Sequence, residues 1–110
     1  MTVRMLAEKL DLECISNGDG NREVTGCYVG DLLSRVMGSA KEGNVWITIM
    51  SNVNVAAVAS LADVSCIILA EGVKPDADLE AKLEIVDAAL YTTPMASYEI
   101  AWKIHELIGV

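Results

Sequence analysis

Apolar and polar positions along the 110-residue chain fall into a recurring unit: an apolar, strand-like run, a polar turn, then a stretch with helical spacing. The unit recurs at Val45 to Ala62, Ser65 to Glu84 and Ala88 to Ile108. Such a repeat predicts a mainly parallel sheet flanked by helices, a three-layer α/β/α sandwich. Upstream of it, Val3 to Lys9 reads as a short amphipathic helix, with Val3, Leu6, Ala7 and Leu10 at helical spacing. Glu13 to Ser16 is a short strand, and Asn17-Gly18-Asp19-Gly20-Asn21 is a turn built from residues that accept positive φ. Val24 to Val29 is the next strand. It feeds, through Gly30 and Asp31, a helix running to about Met37. Asp31, Ser34 and Arg35 are expected to start that helix, and Gly38 and Gly43 to end it.

Val45 to Met50 is the plainest strand of the chain, and Ser51-Asn52-Val53-Asn54 closes it and caps the helix Val55 to Ala62. That helix is apolar nearly all round and rich in small side chains, so it must be covered. A second copy of the chain is the expected cover, with Val55, Ala57, Val58 and Leu61 as the seam of a homodimer. Val64 to Leu69 is a further buried strand, ended by Ala70-Glu71-Gly72. Pro75 and Asp76 open a polar helix through about Glu84, and Asp76, Asp78 and Glu80 suit its amino terminus. Ala88 to Tyr91 is a short last strand. Thr92-Thr93-Pro94 then starts a terminal helix, Met95 to Ile108, with Ile100, Ile104, Leu107 and Ile108 as its apolar stripe. No linker or low-complexity tract interrupts the pattern, so residues 1–110 form one domain.

Composition sharpens this picture in two ways. Hydrophobic residues make up 53% of the chain, which strands buried on both faces and a subunit interface together account for. The formal charge of −8, with Lys and Arg scattered, leaves no basic stripe for nucleic acid or for an anionic membrane surface. Val45 to Ala62 holds no charged residue, yet Thr48, Ser51, Asn52 and Asn54 interrupt it, so it is not a membrane span. The amino terminus carries charge every few residues and is no signal peptide. A soluble, cytoplasmic protein is expected.

The repeat also says where chemistry would lie. Four strand ends converge on one edge: Gly30-Asp31, Ser51 to Asn54, Ala70 to Gly72, and Thr92 to Ser97. Open α/β sheets bind ligands along that edge, where helix amino termini offer free N–H groups to phosphate or carboxylate. The ligand-binding candidates are Gly30, Asp31, Ser51, Asn52, Asn54, Glu71, Gly72, Thr92, Thr93 and Ser97. The same residue types also serve as ordinary helix caps.

Familiar catalytic motifs are missing. There is no Gly-x-x-x-x-Gly-Lys-Ser/Thr, no Gly-x-Gly-x-x-Gly and no Gly-x-Ser-x-Gly. The single histidine, His105, sits late in the last helix beside Glu106, with no nucleophile paired to it. Asp31, Asp63 and Glu71 could move protons, but no pairing among them is readable. Cys14, Cys27 and Cys66 are widely spaced and read as small hydrophobes. Asn17, Asp19, Asn21 and Glu23 alternate like a calcium loop, yet Arg22 takes the required glycine position and Tyr28 the bidentate glutamate position. Trp46 and Trp102 read as packing residues. No catalytic residue, metal or cofactor is assigned.

The stretch Asn21-Arg22-Glu23-Val24-Thr25-Gly26-Cys27-Tyr28-Val29-Gly30-Asp31-Leu32-Leu33, with Trp46-Ile47-Thr48-Ile49 and Ser65-Cys66-Ile67-Ile68-Leu69-Ala70-Glu71-Gly72, resembles the DRTGG domain family. The likeness spans essentially the whole chain and is greatest to the stand-alone members. Similar modules accompany CBS domains in inorganic pyrophosphatases and occur in long phosphotransacetylases, and the amino-terminal part of HPr kinase is a more distant relative. Arg22, Thr25 and Gly26 match the family's Arg, Thr and first Gly, while Asn21 and Cys27 replace its Asp and second Gly. A second alignment puts the Asp-Arg turn at Ser51 to Asn54 and Thr-Gly-Gly at Ala70 to Gly72, where only Gly72 survives. The resemblance implies a regulatory or structural module with catalysis in another domain. Taken with the apolar helix and the strand-end crevice, the expected function is a non-catalytic, homodimeric module sensing a small anionic metabolite or adenine nucleotide at the carboxyl edge of the sheet. The alternative is a protein-interaction module without a small ligand, docking a larger enzyme or signalling protein. A small enzyme of unknown class is the third and weakest reading.

Overall fold

The computed structural model describes all 110 residues. Its elements, in chain order, are α1 (Val3–Lys9), β1 (Glu13–Ser16), β2 (Gly26–Val29), α2 (Leu33–Ser39), β3 (Asn44–Thr48), α3 (Asn54–Ala62), β4 (Cys66–Leu69), α4 (Ala77–Val86), β5 (Leu90–Thr92) and α5 (Ser97–Ile108). The five strands form one sheet in the order β1-β5-β4-β3-β2. β2, β3, β4 and β5 run parallel, and β1 joins antiparallel to β5 with a bulge between Cys14 and Ser16. This is the mainly parallel α/β sandwich that the repeat predicts.

Two apolar clusters cover the faces of the sheet. Val36, Val55, Ala56, Leu79 and Leu83 bring α2, α3 and α4 onto one face, over Trp46, Ile67, Leu69 and Leu90. Val3, Leu6, Ile100 and Ile104 bring α1 and α5 onto the other, over Val45, Ile47, Ile68 and Tyr91. Central strands alternate their side chains between these clusters, so β3 and β4 are apolar on both sides, β4 buried throughout and β3 from Val45 onward. Burying such side chains contributes roughly 1.5–3 kcal/mol each before the opposing chain entropy.

Several boundaries move. β2 begins at Gly26 because Val24 N–H donates to Met1 O (2.9 Å) in the amino-terminal segment, outside the ladder. β3 ends at Thr48 and β4 starts at Cys66, shorter than the apolar runs around them. α2 continues through Gly38 to Ser39, so Gly38 does not end it. α5 begins at Ser97, two residues past Met95.

The helix start at Asp31 is corrected. Leu32 holds the cap position of α2 without a side-chain hydrogen bond, and Asp31 binds the end of β3 instead. The seam on α3 is corrected in part. Val55 and Val58 are buried within the protomer's own core, while Ala57 and Leu61 face solvent, Leu61 at 72% exposure. The helix is covered mainly by its own sheet and its neighbours α2 and α4.

Candidate functional site

The carboxyl ends of β2 to β5 lie together along one edge, as parallel pairing requires. β4 leads into α4 on one face, whereas β5 leads into α5 on the opposite face. Neighbouring connections that part in this way open the crevice where α/β sheets bind ligands. In this protein the crevice is bridged by backbone. Glu71 N–H donates to Met95 O (2.8 Å), Gly72 N–H to Thr93 O (3.0 Å), and Thr93 N–H to Leu69 O (3.0 Å). To make these bonds Glu71 and Gly72 both turn left-handed, with φ of 60° and 75°. For Glu71 that conformation is costly, so the bridge is held against a local preference.

The other candidates are tied one by one. Thr48 Oγ–H and Ile49 N–H both donate to the Asp31 carboxylate, at 2.8 and 2.9 Å, which locks the β2–α2 loop to the end of β3. Ser51 Oγ–H donates to Asp76 (3.1 Å), joining the loops before α3 and α4. Asn52 Oδ1 accepts from Asn54 N–H (2.9 Å) and so starts α3 from one residue before the cap position. Thr93 is buried, and its hydroxyl accepts from Met95 N–H (3.2 Å). Ser97 Oγ–H donates to Glu71 (3.2 Å). Gly30 O accepts from the indole N–H of the buried Trp46 (2.9 Å). Thr92 is also buried, at the end of β5.

One cleft opens on this edge. It holds about 350 Å³ and is lined by Asp11, Glu13, Gly72, Lys74, Thr92, Thr93 and Pro94. Gly72, Thr92 and Thr93 were in the expected set. Lys74, Asp11, Glu13 and Pro94 were not, although Lys74 sits in the β4–α4 connection and could have been named by the strand-end argument. Asp11 and Glu13 required knowing that β1 is antiparallel, which carries its amino end to this edge. Lys74 is the cation of the cleft, 3.8 Å from Glu13, with both side chains about two-thirds exposed. Gly30, Asp31, Ser51, Asn52, Asn54, Glu71 and Ser97 lie outside it.

Larger hollows lie elsewhere. One of about 490 Å³ runs between β1 and α4, where Glu80, Glu84 and Asp87 line it without ion-pair partners. Another of about 410 Å³ lies between α1 and β1, beside Arg4, Asp11 and Tyr91. The motif residues behave structurally. Arg22 donates to the Asp63 carboxylate (2.8 Å) and to Asp63 O (2.7 Å), pinning the α3–β4 turn. Thr25 Oγ–H donates to Glu42 O (2.8 Å) before β3. These contacts sit at the amino end of the sheet, opposite the edge that holds the candidate cleft. His105 is exposed in the last turn of α5.

No family model matches the sequence, and no curated protein matches it. Among solved structures the fold is similar to the crystal structure of the CBS and DRTGG domains of the regulatory region of Clostridium perfringens pyrophosphatase, complexed with its activator diadenosine tetraphosphate. The TM-score is 0.71 at 16% sequence identity, over 92% of this chain and 44% of that one. The present chain therefore spans less than half of that regulatory region. The likeness is one of fold, to a region that includes a DRTGG domain.

Proposed function

We propose that this protein is a non-catalytic regulatory module that acts as a homodimer and senses a small anionic metabolite, an adenine nucleotide first among them. The observation that carries the reading is the fold shared with a pyrophosphatase regulatory region whose activator is diadenosine tetraphosphate. Within this chain the proposed seat is the cleft where Lys74 stands beside Gly72, Thr92 and Thr93. A phosphate there would displace Glu13 from Lys74, an exchange that is cheap because an exposed ion pair is worth little.

Thermal melting against diadenosine tetraphosphate, ATP, AMP and inorganic phosphate tests this. Ligand at about 100 times its dissociation constant stabilises by roughly 2.7 kcal/mol, a shift on the order of ten degrees for a domain of this size. Lys74→Glu should abolish the shift without lowering the melting point of the free protein. A flat panel would overturn the sensor reading.

A second reading has its own support. Met5, Leu32, Ile85 and Tyr98 are exposed large hydrophobic side chains, Tyr98 at 81%, and these suit an interaction module that docks a larger enzyme or signalling protein. Under that reading the nucleotide panel stays flat and a stoichiometric partner co-purifies with the tagged protein.

A further inference from the structure

We infer that the seam between two copies of this chain is the free edge of β2, paired antiparallel with itself about Tyr28. The inference rests on the homodimer proposed above and assigns it a surface. β2 ends the sheet, and β3 is its one strand neighbour. Gly30 N–H donates to Ile47 O (3.1 Å), and the register from Gly26↔Asn44 to Val29↔Ile47 runs without a shift. Backbone groups alternate sides along a strand, so Gly26 and Tyr28 face β3 as Gly30 does. The N–H and C=O of Cys27 and Val29 then point away from the sheet. Two copies meeting about a twofold axis at Tyr28 set Cys27 against the partner's Val29, and Val29 against the partner's Cys27. Each of those pairs exchanges two N–H···O=C bonds, four in all.

The two edges of the sheet differ in how they are protected. β1 carries a bulge, the charged Glu13 and nearby Lys74, features that keep strands from pairing edge to edge. Gly26-Cys27-Tyr28-Val29 has no charge, no proline and no bulge. Apolar side chains also bracket this edge from both faces. Val29 itself is 49% exposed; Leu32, exposed in the loop that leads from β2 into α2, lies toward one face, and Val110, just past α5, toward the other. Val110 reaches to within about 4.0 Å of where a Gly26 side chain would begin. A lone extended peptide could use the backbone groups but would leave both helical flanks wet. A second copy brings a strand and two helices through the same axis.

Sedimentation and cross-linking of the whole chain test this. The native protein should sediment as a dimer. Tyr28→Cys should give a 28–28 disulfide on mild oxidation, because the non-hydrogen-bonded pair on the axis lies about 4.5 Å apart at Cα, within disulfide reach. Val29→Pro removes one outward N–H per copy, a change an edge strand tolerates. It should weaken the dimer at least about tenfold, since two of four bonds are lost. Val29→Lys, with its side chain half in solvent, keeps the fold and decides the matter if either other variant fails to fold; it too should weaken the dimer. A dimer that ignores the Val29 changes and forms no 28–28 link overturns the seam and leaves the homodimer standing. A native monomer overturns both.

Discussion

Cys27 and Cys66 share the face of the sheet under α5, on either side of Val45. Burial pushes the Cys66 thiol up to about 12, with neighbouring Cys27 adding to the effect and a hydrogen bond from Ser65 opposing it. Burial likewise lifts Cys27 to about 11. Unfolding returns both to their ordinary value of 9.0. The stability these neutral thiols contribute is therefore complete below pH 9 and is lost as pH rises through 11 and 12. The melting temperature should hold up to about pH 9 and then fall, and Cys66→Ala should melt lower throughout but with a shallower alkaline slope. Equal slopes would mean that burial of this thiol is not felt. At this scale the sequence was legible as composition but not as geometry. That Asn52 and Thr93 accept local N–H bonds follows from their residue types, whereas the partners of Asp31 at the end of β3 depend on which strands are neighbours. Nor could the left-handed turns at Asp63, Glu71 and Asp87 be read, since glycine or asparagine is the usual occupant there.

The helix α3 shows how an element can be recognised and still be misplaced. Its span was readable to within one residue, but an all-apolar sequence carries almost no phase, so the face it would bury was not readable. Packing chooses Val55, Ala56, Val58 and Ala59, and small Ala57 and Ser60 are what remain outside beside Leu61. Two substitutions one residue apart should then part company. Ala57→Glu stands in solvent and should change stability by no more than about 0.5 kcal/mol, leaving the oligomeric state as it was. Val58→Asp places an unpaired carboxylate in the core and should cost several kcal/mol, enough to unfold much of the protein. Circular dichroism and sedimentation of the two variants check this, and monomers from Ala57→Glu would return the seam to α3. Strand ends were overrun for a related reason: an apolar residue past the last ladder partner, such as Ile49, looks the same in sequence as one within it.

For the molecule as a whole, the strand–helix repeat made the parallel sheet legible and set its carboxyl edge, because parallel strands must end on one side. The repeat says nothing of a strand that precedes it, and so neither β1's place beside β5 nor the cleft it completes with Lys74 could be foreseen. That placement has a consequence in time. β2 to β5 can add to one another in sequence order, each through a short crossover, while β1 must wait for residues some seventy-five positions further on. Such long closures come late because their entropy is lost before their contacts reward it. Ser16→Ala, which removes a 2.7 Å bond to Ala88 O, should therefore speed unfolding and leave the folding rate nearly unchanged, whereas Ile47→Val in β3 should slow folding. Stopped-flow measurement of both limbs would show it. The strand laid down first is then the last to find its neighbour, and until it does the partly built sheet offers β5 as an open, apolar edge to any other chain in reach.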